Sequence, residues 1–240
     1  LKILIFLTFI FITFQIKASE RGSRLVLIYN GPGACDDCAD SLVQIIKNKG
    51  FQVKIVKPGE LTQENFSKAM LYIQPGGSDR ILDTIDALSS SEIQNLRNFV
   101  SHGGSYLGIC AGGFLAGSYT DDENSKYKQT FGLIPTVVEE ELEDTDSTVL
   151  KINWNGIERF VYYQSGPEFN IKKIPNAKSF GEYSESHHSM ALIAPFGKGR
   201  VGLVGPHLEA TKDWFIDDNL KIKGRLSLDL LSEFIDSLIE

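Results

Sequence analysis

The chain is 240 residues long, 42% hydrophobic, with 22 glycines and a formal net charge of −7. That length and apolar fraction suit one domain with a sizeable core, and the glycines signal many tight loops. The acidic balance argues against nucleic acid as a partner, because a net charge of −7 would not neutralise a phosphate backbone.

Residues 1–19 stand apart. Lys2 precedes an apolar run from Ile3 to Phe14, and no acid occurs before Glu20. A basic start, an apolar run of about a dozen residues and a small residue near its end predict a secretory signal peptide, cut after Ala18 or Ser19. The run is short for a bilayer span, which needs ~20 residues. The expectation is therefore export, periplasmic or secreted, with no membrane anchor left after cleavage. Cleavage leaves 22 basic against 31 acidic residues, a balance of −9. Export makes the cysteines informative, and there are three: Cys35, Cys38 and Cys110. In an oxidising compartment the simplest account pairs Cys35 with Cys38 and leaves Cys110 free.

In chain order, Arg24–Asn30 is predicted as a strand apolar on both faces, the pattern of a parallel-sheet interior. Gly31-Pro32-Gly33-Ala34 turns out of it. A helix is expected over Asp36–Lys49, with Leu42, Val43, Ile45 and Ile46 inward and Gly50 as the stop. Strands follow over Phe51–Val56 and Ala69–Gln74, the second entering Pro75-Gly76-Gly77. Ser89 and Glu92 spell a capping box, with Leu88 and Ile93 as its hydrophobic staple. Leu96, Phe99 and Val100 continue that helix, and His102-Gly103 closes it. Gly104–Ile109 is a buried strand running into Cys110 and another helix. This alternation predicts a parallel sheet with helices on both faces. Ligands bind such sheets at the carboxyl ends of the strands, where Gly31-Pro32-Gly33, Pro75-Gly76-Gly77 and Cys110 collect.

The second half changes character. Residues 118–130 read as a polar surface loop. The acidic run Glu139-Glu140-Glu141 with Glu143, Asp144 and Asp146 reads as a solvated loop and not as a metal site, since it lacks the spacing of a calcium loop. Thr148–Trp154 and Glu158–Gln164 flank Asn155-Gly156, a strong hairpin signal. Strands are expected over Ser189–Ala194 and Arg200–Val204, and a last helix over Leu226–Ile239.

The chemistry centres on Gly108-Ile109-Cys110-Ala111-Gly112, a Gly-x-Cys-x-Gly turn between strand and helix. A nucleophile at such a tip sits in a strained backbone conformation, and Cβ atoms two residues to either side would collide. A cysteine nucleophile needs a base, and the base needs an orienting carboxylate. His102 ends a helix. His187 and His188 lie in a polar loop with no third metal ligand at a useful spacing. His207 follows a buried strand, and Glu209 is two residues on. Cys110, His207 and Glu209 therefore fill the three roles. Tyr162, Tyr163 and Gln164 either line the crevice or pack beneath it.

Gly108-Ile109-Cys110-Ala111-Gly112 with Gly205-Pro206-His207-Leu208-Glu209 resembles the class I glutamine amidotransferase-like superfamily. Tyr29-Asn30-Gly31-Pro32-Gly33, Tyr72–Asp79 and Tyr162–Pro167 resemble one branch of it most. That branch holds the N-terminal domain of eukaryotic biotin–protein ligases and its free-standing bacterial relatives. The resemblance covers nearly all of residues 20–240, read as one such domain. It implies a flavodoxin-like three-layer sandwich, with a mostly parallel central sheet and an inserted β-hairpin region. It also implies a Cys110–His207–Glu209 triad, with an oxyanion hole from Ala111 and a glycine of the Gly76-Gly77 pair. Leu208 replaces the usual proline between histidine and glutamate. The implied activity is hydrolysis of a small-molecule, peptide or γ-glutamyl-type amide through a thioester, with no cofactor and no metal. Two alternatives stay open: a non-catalytic binding module of the same fold, and a redox-active Cys35-Asp36-Asp37-Cys38 pair. The residues do not give the substrate or the oligomeric state.

Overall fold

A computed structural model describes residues 24–77, 80–120, 128–142 and 146–240. The signal peptide expected over residues 1–19 lies outside the described residues, as do Ser78, Asp79, Glu143 and Asp144. The elements in chain order are β1 (Leu25–Tyr29), α1 (Cys38–Asn48), β2 (Gln52–Val56), α2 (Gln63–Ser67), β3 (Ala69–Gln74), α3 (Leu82–Ala87), α4 (Ser90–Ser101), β4 (Ser105–Ile109) and α5 (Ala111–Leu115). Then come the short β5 (Tyr119–Thr120), β6 (Lys128–Gln129) and β7 (Glu139–Glu140), and the hairpin β8 (Thr148–Trp154) and β9 (Ile157–Tyr163). The chain ends with β10 (Pro167–Glu168), β11 (Lys178–Tyr183), β12 (Ser189–Phe196), β13 (Gly199–Val204), α6 (Lys212–Asp217) and α7 (Leu228–Ile239).

One nine-stranded sheet runs in the order β2-β1-β3-β4-β13-β12-β11-β8-β9. The first five strands pair in parallel. The last four extend the sheet in antiparallel fashion. The predicted hairpin is thus the edge of the central sheet itself. Strands β1 and β4 bury both faces, as their unbroken apolar runs require. One core lies between the sheet and α1 with α7, with Leu42, Ile46, Leu231 and Phe234 fully buried. The other lies on the opposite face, where Leu61, Leu96, Val100 and Leu115 are fully buried. The three-layer sandwich is what such a two-sided sheet must become to bury its apolar faces.

The capping box forms as read: Ser89 accepts from the Glu92 N–H, and the Glu92 carboxylate accepts from the Ser89 N–H. Glu92 also accepts from Gly59 N–H at 2.6 Å, so the same carboxylate ties the β2–α2 loop to α4. Helix α1 begins at Cys38, two residues later than expected, because Cys35 and Cys38 form a disulfide across the turn before it. Strand β11 escapes the sequence pattern. Its residues Lys178–Tyr183 are polar in part, and bulges against β12 break the two-residue period. Among the described residues, no helix is long and apolar enough to cross a membrane.

Candidate active site

The site is built at the carboxyl edge of β4 and β13, the neighbouring parallel strands that end at Ile109 and Val204. Cys110 has φ +48° and ψ −109°, a positive-φ conformation that L-residues avoid. Its N–H donates to Val204 O at 2.9 Å, which fastens the turn to β13. A Cβ on Gly108 would lie 2.4 Å from Gly112 O, and one on Gly112 would lie 2.2 Å from Gln74 O. Both contacts are with backbone, so neither glycine can be replaced without moving the turn. The strain and the two glycines are one device, and they aim a cysteine side chain out of the sheet.

His207 follows β13 and is almost fully buried, 5% exposed. Its N–H donates to Tyr162 O at 3.0 Å, so β9 holds its backbone. Its Nδ1 lies 2.9 Å from Oε1 of Glu209, a carboxylate with no exposed surface. Cys110 bears on the same ring. Burial pushes the imidazole pKa down, but Cys110 and Glu209 outweigh it and raise it from 6.5 to about 10. The balance favours the protonated ring between Cys110 and Glu209. Cys110 Sγ also donates to Gln164 O, at 3.6 Å.

The loop Pro75-Gly76-Gly77 closes the site from β3. A Cβ on Gly76 would lie 2.4 Å from His207 Cε1, and one on Gly77 would lie 2.5 Å from Ala111 Cβ. Gly77 also bridges to Ala34, on the first glycine turn. All three glycine-bearing turns therefore converge on Cys110, as their places at the strand ends predict. Cys110, His207, Glu209, Gly76, Gly77, Ala111 and the Cys35–Cys38 disulfide are brought together.

Of the aromatic candidates, Tyr162 belongs to the site. It stands edge-on to His207 with ring centroids 5.9 Å apart, and its hydroxyl meets Ser147 and Asp218. Burial raises its pKa to about 12, so it acts as a neutral ring. Tyr163 instead packs inward, and its hydroxyl donates to Gly166 O at 2.8 Å. Trp214 of α6 also stands edge-on to His207, at 5.2 Å, and the sequence reading missed it. Only the path of the chain after β13 returns this residue over the ring.

The acidic run differs from the solvated loop expected. Glu139–Glu140 forms β7 against β10, and the Glu141 side chain is 5% exposed. Glu141 Oε2 lies 3.0 Å from His188 Nδ1, which also contacts Glu168, while Ser186 Oγ donates to Glu141 Oε1. These partners are too far apart in sequence for spacing to reveal them.

The fold defines a class: this is an α/β protein with a glutamine amidotransferase-like, flavodoxin-type fold. PurLQS from Thermotoga maritima is similar in structure, with a TM-score of 0.57 and 13% identity over 89% of this chain and 98% of that one. A GH42 beta-galactosidase from G. stearothermophilus has a TM-score of 0.52 and 15% identity, over 91% of this chain and 30% of that one. At such identities the likeness is one of fold. Residues 24–130 match the model of the family described as "Biotin-protein ligase, N terminal". The biotin–protein ligase of Schizosaccharomyces pombe is 26% identical over 231 residues, covering 85% of this chain and 36% of the ligase. The chain thus spans about a third of the length of that curated relative.

Proposed function

We propose that this chain is an exported amidohydrolase with Cys110 as nucleophile, His207 as acid and base, and Glu209 as the group that orients His207. The observation that carries the reading is the strained Cys110 turn in contact with a buried His207, whose far nitrogen lies 2.9 Å from a fully buried carboxylate. In the proposed reaction the Cys110 thiolate attacks an amide carbonyl. N–H groups of Ala111 and of Gly76 or Gly77 hold the oxyanion, and the His207 imidazolium gives its proton to the departing amine. Water, deprotonated by His207, then releases the acid from the thioester. The substrate class is a small or peptide amide of the γ-glutamyl type. Export is supported by the basic start and apolar run of residues 1–19, and N-terminal sequencing of the exported protein tests it. Biotin transfer forms no part of the proposal, because the family match is to the N-terminal portion of the ligase.

The test is the alkylation rate of Cys110 and, on separate unalkylated protein, intact-mass trapping of a thioester from a panel of primary and γ-glutamyl amides. Wild type is expected to alkylate rapidly and to accumulate an acyl adduct that Cys110→Ala cannot form. His207→Ala is expected to slow both. Equal alkylation of wild type and His207→Ala, with no adduct from any amide, would return the site to a binding module of the same fold.

A further inference from the structure

The proposed chemistry does not use the Cys35–Cys38 disulfide, yet the disulfide stands inside the site. Cys38 is fully buried. Its Sγ, a ring nitrogen of His207 and a carboxylate oxygen of Glu209 all lie within 4.8 Å of one another. Gly76 makes this approach possible, for a Cβ there would lie 3.0 Å from Cys38 Sγ as well as 2.4 Å from His207 Cε1. The Cys35 N–H donates to Gly76 O at 3.0 Å and holds the disulfide turn in place. A second observation points to a ligand. Glu209 has no exposed surface, and its Oε2 has no hydrogen-bond partner. An unsatisfied buried carboxylate oxygen is costly, and a cation nearby would remove that cost.

We propose that reduction of Cys35–Cys38 opens a site for a thiophilic divalent cation of the zinc type, held by Cys38, His207 and Glu209. A thiolate, an imidazole and a carboxylate form a donor set that suits zinc, with bonds of about 2.0–2.3 Å. Freeing Cys38 Sγ from Cys35 lets the three atoms close around the ion. In the redox step a dithiol supplies two electrons and two protons. The Cys35–Cys38 bond breaks to two thiols, and the dithiol closes to its own disulfide. The cation then displaces the Cys38 proton to solvent and takes a lone pair of His207. A ring so engaged cannot serve Cys110, so the reduced, metal-loaded protein is the silent form. Exchange with a small-molecule disulfide, which takes up the two electrons and two protons as its two thiols, re-forms Cys35–Cys38, removes the thiolate ligand and expels the ion. The cation site rests on geometry alone and stands whether or not the site hydrolyses an amide; the silencing rests on the proposed function.

The experiment is an anaerobic Co2+ titration, followed by displacement with Zn2+, in a Cys110→Ala background so that Cys110 contributes no thiolate. The reduced protein is expected to take up one equivalent with a thiolate-to-cobalt charge-transfer band, and the disulfide form none. Adding Cys35→Ser should give the band without reductant, since Cys38 is then free. Adding Cys38→Ser should abolish it under reduction. The reduced and oxidised forms of the Cys110→Ala protein share one chain, so a difference between them is not caused by a substitution. Equal uptake by the two forms, no uptake by the reduced form, or a band that survives Cys38→Ser would overturn the proposal.

Discussion

Gly76→Ala tests whether the position of His207 is set by packing. The added Cβ would stand 2.4 Å from His207 Cε1 and 3.0 Å from Cys38 Sγ. Carbon atoms in contact prefer about 3.5–4.0 Å, so the ring or the loop must give by roughly 1 Å. Neither has free room. The ring is pinned by the Tyr162 carbonyl at its backbone and by Glu209 at Nδ1, and the loop by its bond to Cys35 and its bridge to Ala34. A displacement of about 1 Å in a catalytic group costs on the order of 100-fold in rate, and overpacking of this kind costs about 1–3 kcal/mol in stability. The assay is the pseudo-first-order rate of Cys110 alkylation by iodoacetamide, read by peptide mass spectrometry, beside a urea denaturation curve. A variant that stays folded and loses most of the rate fits the reasoning. Alkylation at the wild-type rate in a folded Gly76→Ala protein would falsify the claim that the ring is poised by this contact.

Gly112→Ala should be worse for folding than Gly76→Ala, because its Cβ meets the Gln74 backbone carbonyl at 2.2 Å and no side chain can yield; its denaturation midpoint should fall further. The pH dependence of stability follows from His207. Its pKa is raised from 6.5 to about 10, so its contribution is complete below 6.5 and is lost as pH rises through about 10. Tyr29 and Tyr162, raised to about 12 mainly by burial, also favour unfolding at alkaline pH; the readout is therefore the difference between wild type and His207→Gln, which should shrink as pH climbs. Arg159→Ala removes a guanidinium that reaches Asp229 at 2.8 and 2.9 Å and the Leu226 carbonyl at 2.9 Å, and it should cost about 2–3 kcal/mol by urea denaturation. Asp229, held below its usual 3.8 mainly by Arg159, contributes stability that is lost as pH falls through that lowered value; Arg159→Ala should flatten this acid limb.

The features legible in the sequence are those whose cause is local. The capping box at Ser89–Glu92, the hairpin turn at Asn155-Gly156 and the buried strand before Cys110 each depend on residues within a few positions of one another. So does the strained cysteine turn, because the clash that demands Gly108 arises from Gly112, four residues on. The parallel half of the sheet followed from alternating strand and helix patterns, and the grouping of His207 and Glu209 with Cys110 is proposed because few histidines could serve. Tertiary structure decided what no spacing records. The register of β13 against β4 sets His207 beside Cys110 across 97 positions of chain, and the return of α6 lays Trp214 on the ring. Close packing at Gly76 puts the disulfide against His207, and the β7–β10 pairing gathers Glu141, Glu168 and His188. Local backbone preference and side-chain period can be read along the chain. Contacts between distant segments depend on how the whole sheet packs, because each is fixed by the register and burial of elements that touch only once the fold has closed.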